Sequence, residues 1–241
     1  VLHPKARSTL AGVPTVVLVR HGRTSANASG MLAGWTPGVE LDETGIGQAQ
    51  ALRERLAALP LTAVVTSPLD RTVQTTRLML GDRDVPVHLD ERVGECRYGD
   101  WTGRPLKELA KDPLWRVVQA HPSSVVFPGA DGESMPQMQH RAVSAIREWN
   151  DRLGPDAIYA VVSHGDIIKS VLADALGMHL DQFQRLHVDP CSVSVVQYTS
   201  MRPFVERTND VGGDLSRLAP SPKKKSRRRT SDAVVGGGAG A

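Results

Sequence analysis

Residues 15–27 read TVVLVRHGRTSAN, and the rest of the chain can be taken outward from this stretch. After Pro14 come five apolar or β-branched side chains with no polar alternation, Thr15 to Val19, the pattern of a short strand covered on both faces. The strand runs straight into Arg20-His21-Gly22, so two reactive side chains stand at its carboxyl end. The arrangement recurs twice. TAVVT at 62–66 leads into SPLDRTVQT at 67–75, and AIYAVVS at 157–163 ends at His164-Gly165-Asp166.

Helical patterns fill the gaps. Ala49, Leu52, Leu56 and Leu59 recur at helical spacing over 46–59, closed by Pro60. Ser67-Pro68 reads as a cap and first position of a helix reaching about Leu80 before Gly81. Leu106, Leu109, Leu114, Trp115 and Val118 suggest helix, with Pro113 interrupting it or starting a turn of it. Met138, Ala142, Ile146, Trp149 and Leu153 mark a longer one, ended at Gly154-Pro155. Residues 166–176 form another, with Gly177 as its stop. Further strands are expected at 85–89 and 193–198, with an edge strand at 204–208. Strands alternating with helices predict an α/β fold. We expect three α/β/α layers around a mostly parallel central sheet, with a short cap-like insertion at about 100–140.

Composition sets the outer bounds. With 241 residues and 40% hydrophobic side chains the chain can build a sizeable core. Cys96 and Cys191 are too few for a disulfide framework or a Cys-based metal site, which fits a reducing compartment. No apolar run reaches the roughly 18 residues of a membrane span, and 1–14 lacks the apolar centre of a secretory signal. A cytoplasmic protein without membrane partners is the expectation. The net charge of +3 is uneven. Six cations at 223–229 (KKKSRRR) against Asp232 alone leave 219–241 at +5 and the other 218 residues at −2. The expected organisation is an N-terminal arm at 1–14, a catalytic domain at 15–218 and a disordered basic tail at 219–241. Gly236-Gly237-Gly238 reads as part of that low-complexity tail.

In open parallel sheets ligands bind outside the carboxyl ends of the strands, where helix N-termini also favour anions. Arg20, His21, Arg71 and His164 collect there, which predicts a phosphate-type anion site. Each residue alone has a plain structural explanation: a hydrogen-bonded histidine, a solvated arginine, a turn glycine. Their joint placement is what points to a site.

RHGRTSAN at 20–27, SPLDRTVQT at 67–75, ECRYGDWTG at 95–103 and VSHGD at 162–166 together resemble the histidine phosphatase superfamily, which holds phosphoglycerate mutases and many phosphatases. Order and spacing match over about 15–200. The resemblance implies that His21 accepts the phosphoryl group, within a pocket made by Arg20, Arg71 and His164. Guanidinium groups suit that pocket because they stay charged and grip phosphate oxygens in pairs. The resemblance also implies that Asn27 adds a donor and that Gly22 orients His21, with Thr24 and Gly165 beside the substrate. Glu91, Glu95 and Asp100 are each plausible proton carriers by position, and the family spacing selects Glu95 as general acid and base. It implies no metal and no cofactor. The partner expected is a small phosphorylated substrate, and family members often form homo-oligomers.

Phosphatase is preferred over mutase, because 100–140 holds no adjacent arginine pair to grip a substrate carboxylate, although Arg97-Tyr98-Gly99 resembles the mutase form of its motif. Some of Trp101, Arg104, Lys107, Lys111, Trp115, Arg116 and Phe127 are expected to form a lid, with core packing the preferred role for Trp115 and Phe127. Glu133 is expected to touch substrate or to cap a helix with Ser134. Asp166 stands where many relatives have a small or neutral residue. It would favour a protonated His164 or cap the next helix, and the cap is preferred. Two other classes are weighed. A scaffold without turnover is disfavoured because every expected reactive position is filled. Nucleic-acid binding would rest on the tail's basic run alone, with no aromatic residues beside it.

Overall fold

The computed structural model describes residues 12–213 and 235–238, so the expected arm enters it only at 12–14 and the expected tail only at 235–238. In chain order the elements are β1 (Thr15–Arg20), α1 (Ser25–Ser29), α2 (Glu43–Leu56), β2 (Ala63–Thr66), α3 (Asp70–Leu80) and β3 (Val87–Leu89). There follow α4 (Leu106–Leu109), α5 (Pro113–Ala120), α6 (Met135–Leu153), β4 (Ile158–Ser163), α7 (Gly165–Ala175), β5 (Val193–Tyr198) and β6 (Pro203–Asp210). The strands make one six-stranded sheet in the order β3-β2-β4-β1-β5-β6. β1, β2, β3 and β4 pair in parallel, while β5 and β6 add on antiparallel. The fold is α/β with a mostly parallel sheet, as its alternating pattern predicts.

Successive residues of a strand face opposite sides of the sheet. Val16 and Leu18 therefore enter one core with Ala142, Ile146 and Trp149 of α6 and Ile167 and Ile168 of α7. Val17 and Val19 enter the other, with Ala49 and Leu52 of α2 and Met79 and Leu80 of α3. An uninterrupted apolar run is what a strand needs when both faces are covered.

Several local expectations are refined. Of the two roles expected for Pro113 it takes the second and opens α5, with Asp112 accepting from the Leu114 amide as its cap (2.9 Å). Ser67 stands two residues before the N-cap of α3, Leu69, and its Oγ accepts from the Leu69 amide (3.4 Å) as well as from His164 Nε2 (2.8 Å). Within the 100–140 stretch the aromatic residues are core, the role preferred for Trp115 and Phe127, while Leu106 lines the cavity beside His21. Trp101, Trp115 and Phe127 are buried in the α6/α7 core, with ring centroids 6.1 Å apart for the two tryptophans and 5.5 Å for Trp101 and Phe127. Among the described residues no helix is long and apolar enough to cross a membrane.

One contact fixes the loop after β1. Gly22 and Gly45 meet backbone to backbone, so that a Cβ on Gly22 would stand 2.6 Å from the Gly45 carbonyl oxygen. One on Gly45 would stand 2.0 Å from the Arg23 carbonyl oxygen. The Gly22 amide also donates to Thr75 Oγ1 of α3 (3.0 Å), which pins the loop from its other side. Gly45→Ala is expected to destabilise the fold by about 1–3 kcal/mol through overpacking, read from urea denaturation midpoints. An unchanged midpoint would show that the Arg23 loop moves aside freely.

Candidate active site

β1 and β4 run in register with Arg20 opposite Ser163, and β2 joins them with Thr66 opposite Val162. The next residues, His21, His164 and Ser67, therefore emerge together at the carboxyl edge. The two imidazoles lie 5.3 Å apart between centroids. Arg71 arrives from the first turn of α3, and Glu95 from the loop after β3. Arg20, His21, Arg71, Glu95 and His164 are all buried. The sequence-predicted core of the site is thus brought together.

Hydrogen bonds assign the tautomers. A carbonyl oxygen only accepts, so His21 Nδ1 carries the proton it donates to the Gly22 carbonyl (2.7 Å). Its Nε2 keeps a lone pair, and the ring lines the cavity. Arg71 Nη2 donates to the Gly34 carbonyl (2.8 Å) and to His164 Nδ1 (3.2 Å). His164 therefore carries its proton on Nε2 and donates it to Ser67 Oγ (2.8 Å).

Electrostatics follow from packing two guanidinium groups into a dry pocket. Burial, Arg71 and Arg20 hold His21 well below its ordinary value. Burial, Arg71 and His21 do the same to His164, so Asp166 does not keep that ring protonated. Burial lowers Arg20 to about 10, against the nearby charges of Glu95, Asp166 and Asp189, so it remains a cation at neutral pH. Glu95 is pushed up to about 7 by burial and by Asp166, opposed by Arg71, the Cys96 amide and Arg20. Its Oε1 accepts from the Cys96 amide (3.0 Å), and Oε2 lies 3.9 Å from His164 Nδ1.

The remaining expected residues divide. Thr24 and Asn27 form a capping box on α1: Thr24 Oγ1 accepts from the Asn27 amide, and Asn27 Oδ1 accepts from the Thr24 amide, each at 3.1 Å. Asn27 lines the cavity and has its side-chain NH₂ to offer there. Gly165 faces the chain's own C-terminal stretch, with Gly237 Cα 3.1 Å from where its Cβ would stand. Met31, Leu32 and Leu106 give the cavity an apolar wall that the lid expectation did not name.

Other supports were not visible in the sequence. Arg141 of α6 donates to the carbonyls of Arg92 (2.7 Å), Gly94 (2.8 Å) and Glu95 (2.9 Å) and pairs with both carboxylate oxygens of Glu133. Glu133 also accepts from the Arg97 amide (2.8 Å), so it braces the Glu95 loop rather than capping α6. The α6 cap is Ser134 with Gln137. Trp35 Nε1 adds a further bond to the Glu95 carbonyl (2.6 Å). Asp166 is the second residue of α7 and not its cap: its Oδ2 accepts from the Tyr98 hydroxyl (2.9 Å) and the Gly236 amide (3.0 Å).

The assigned tautomers can be checked by ¹⁵N imidazole spectra. His21 should show a protonated Nδ1 and His164 a protonated Nε2. Both rings should stay neutral as the pH falls through 6.5, the ordinary histidine value, because each is held below it. Protonation of either ring at pH 6.5 would contradict the pocket's charge balance.

A family model described as the histidine phosphatase superfamily (branch 1) matches residues 16–211. An adenosylcobalamin/alpha-ribazole phosphatase of Salmonella typhi is 40% identical over 170 residues, which is 67% of this chain and 79% of that protein. A probable phosphoglycerate mutase, GpmB, of Cronobacter sakazakii is 31% identical over 208 residues, covering 84% of this chain and 94% of its own length. Among solved structures, YhfR of Bacillus stearothermophilus superposes with a TM-score of 0.76 at 29% identity, over 83% of this chain and 98% of that one.

Proposed function

The chain belongs to the histidine phosphatase superfamily, and on that footing we propose that it hydrolyses phosphomonoesters through a phosphohistidine on His21, with Glu95 carrying the proton. One observation carries this reading: the Gly22 carbonyl holds the proton on Nδ1 and so commits the Nε2 lone pair of a buried, neutral imidazole to the cavity. Nε2 attacks phosphorus and the bond to the ester oxygen breaks. Protonated Glu95 gives its proton to the leaving oxygen. Water then attacks the phosphohistidine, its proton passes to the Glu95 carboxylate, and the P–N bond breaks to release phosphate. A carboxyl with a value of about 7 can serve both steps near neutral pH.

Arg71, Arg20, the Asn27 amide and His164, whose Nε2–H would turn from Ser67 Oγ to the anion, are the groups we assign to the phosphoryl oxygens. In this scheme the charge gathering in transfer is offset by guanidinium groups, in the role a metal ion plays elsewhere. Hydrolysis is preferred to mutase transfer because, beyond Arg71 and Arg20, which are assigned to the phosphoryl group, no cation among the described residues lines the cavity. A phosphorylated sugar acid would find no further cation for its carboxylate. Met31, Leu32 and Leu106 suit an ester whose alcohol is apolar or ring-shaped.

The test is phosphate release from an aryl phosphate and from an alkyl phosphate in EDTA. Wild-type turnover should survive the chelator and vanish in His21→Ala with the circular dichroism unchanged. Turnover that persists in His21→Ala would remove the nucleophile assignment. Glu95→Gln should slow the alkyl ester by about 10²-fold or more and the aryl ester much less, since only the poor leaving group needs a proton. The acid form of Glu95 is lost as pH rises through about 7. The alkyl kcat/KM should therefore decline above that pH in wild type, and this limb should be absent from Glu95→Gln.

A further inference from the structure

The stretch Val235–Gly238 packs against the body of the fold. Val235 is buried in the α6/α7 core, and three carbonyls beyond it converge on one guanidinium. Arg20 Nη1 donates to the Gly237 carbonyl as well as to the Val188 carbonyl (2.8 Å). Arg20 Nη2 donates to the carbonyls of Gly238 (2.6 Å) and Gly236 (3.3 Å). Its Nε is buried with no hydrogen-bond partner among the described residues. The four terminal N–H donors of Arg20 are thus directed at backbone, three contacts of the four at this stretch.

Two features show that the seat is built for it. The Gly236 amide donates to Asp166 Oδ2 (3.0 Å), the same oxygen that the Tyr98 hydroxyl orients (2.9 Å). This gives the unusual carboxylate after His164-Gly165 a partner. Gly236, Gly237 and Gly238 all have positive φ, at 72°, 76° and 47°, where side chains are strained. A Cβ on Gly237 would also stand 3.2 Å from the Arg20 guanidinium carbon and 3.2 Å from Gly165 Cα. The glycine run is therefore what lets backbone carbonyls approach the cation. With the stretch seated, the cavity over His21 has a volume of about 20 Å³, room for about one water and not for a phosphoryl group.

We propose that Val235–Gly238 is an autoinhibitory strap, whose carbonyls stand in for phosphate oxygens on Arg20 and must lift before phosphate binds. The proposal rests on the assignment of Arg20 to the phosphoryl group. A phosphate dianion displaces the strap because charge-assisted bonds to guanidinium are stronger than those to neutral carbonyls. The strap lowers the fraction of binding-competent protein, so it weakens apparent affinity by that fraction and leaves the chemistry of bound substrate alone.

The experiment is calorimetric binding of inorganic phosphate to the full chain and to Gly237→Val and Val235→Asp, each checked by circular dichroism. Both variants should bind phosphate about tenfold more tightly than wild type, as expected for a strap seated about nine-tenths of the time. In aryl phosphate turnover KM should fall by the same factor at unchanged kcat. A measurement on the wild type needs no variant: saturating phosphate should shift the amide resonances of Gly236, Gly237 and Gly238 toward positions typical of unstructured chain. Equal or weaker phosphate binding in the variants would overturn the strap and make the stretch a supporting wall, as would unmoved glycine resonances. Binding requires no turnover. A chain that binds phosphate as expected but hydrolyses neither ester would therefore refute the proposed function and leave the strap standing.

Discussion

The parallel pairing of β1 with β4 is the constraint on which the rest depends. With Arg20 level with Ser163, the chain delivers His21 and His164 to adjacent points on one sheet edge. Each ring is carried by the residue directly after the hydrogen-bonded ladder. A slip of one residue would turn every strand side chain to the opposite face and separate the two histidines. The two cores hold the register because Val16 and Leu18 fit one and Val17 and Val19 fit the other. The stability of the sheet and the geometry of the site are therefore one property.

Concentrating Arg20, Arg71 and two imidazoles in a dry pocket is unfavourable unless charges compensate. Glu95 and Asp166 supply part of that compensation, and the histidines respond by remaining neutral. The same field that keeps His21 unprotonated would attract an anion. Glu95 is the group left in balance: burial and Asp166 favour its acid form, while both arginines favour its carboxylate. Its position depends on a bracket of Arg141, Glu133 and Trp35 that grips the loop carrying it. A buried carboxyl on a loop needs such bracing, since no regular ladder holds it.

Much of this was legible in one dimension. Strands at 15–20, 62–66 and 157–163 announced themselves by unbroken β-branched runs, and the reactive residues stood directly after them. Helix ends were less legible, because propensity and capping compete there with tertiary demands. Ser67 is the clearest case: Ser-Pro at a helix start reads as a cap, yet the shorter bond to its hydroxyl comes from His164, which is distant in sequence. Asp166 misleads in the same way, since a carboxylate in a first turn reads as local stabilisation and here answers Tyr98 and Gly236. Trp101, Trp115 and Phe127 lack any spacing that separates a lid from a core, and they proved to be core.

The sequence by itself determined the α/β layering, the strands that end at the site, and the identities of Arg20, His21, Arg71 and His164. Those follow from hydrophobic periodicity and chain order, which are local quantities. Only the tertiary structure decided the imidazole tautomers, the value of Glu95, the Arg141–Glu133 bracket and the seating of Val235–Gly238 on Arg20. Each of these is set by burial and by partners far apart along the chain. Gly236-Gly237-Gly238 shows the difference most plainly. As composition it describes a low-complexity tail, and against the Arg20 guanidinium it is the backbone conformation that lets three carbonyls converge on a buried cation.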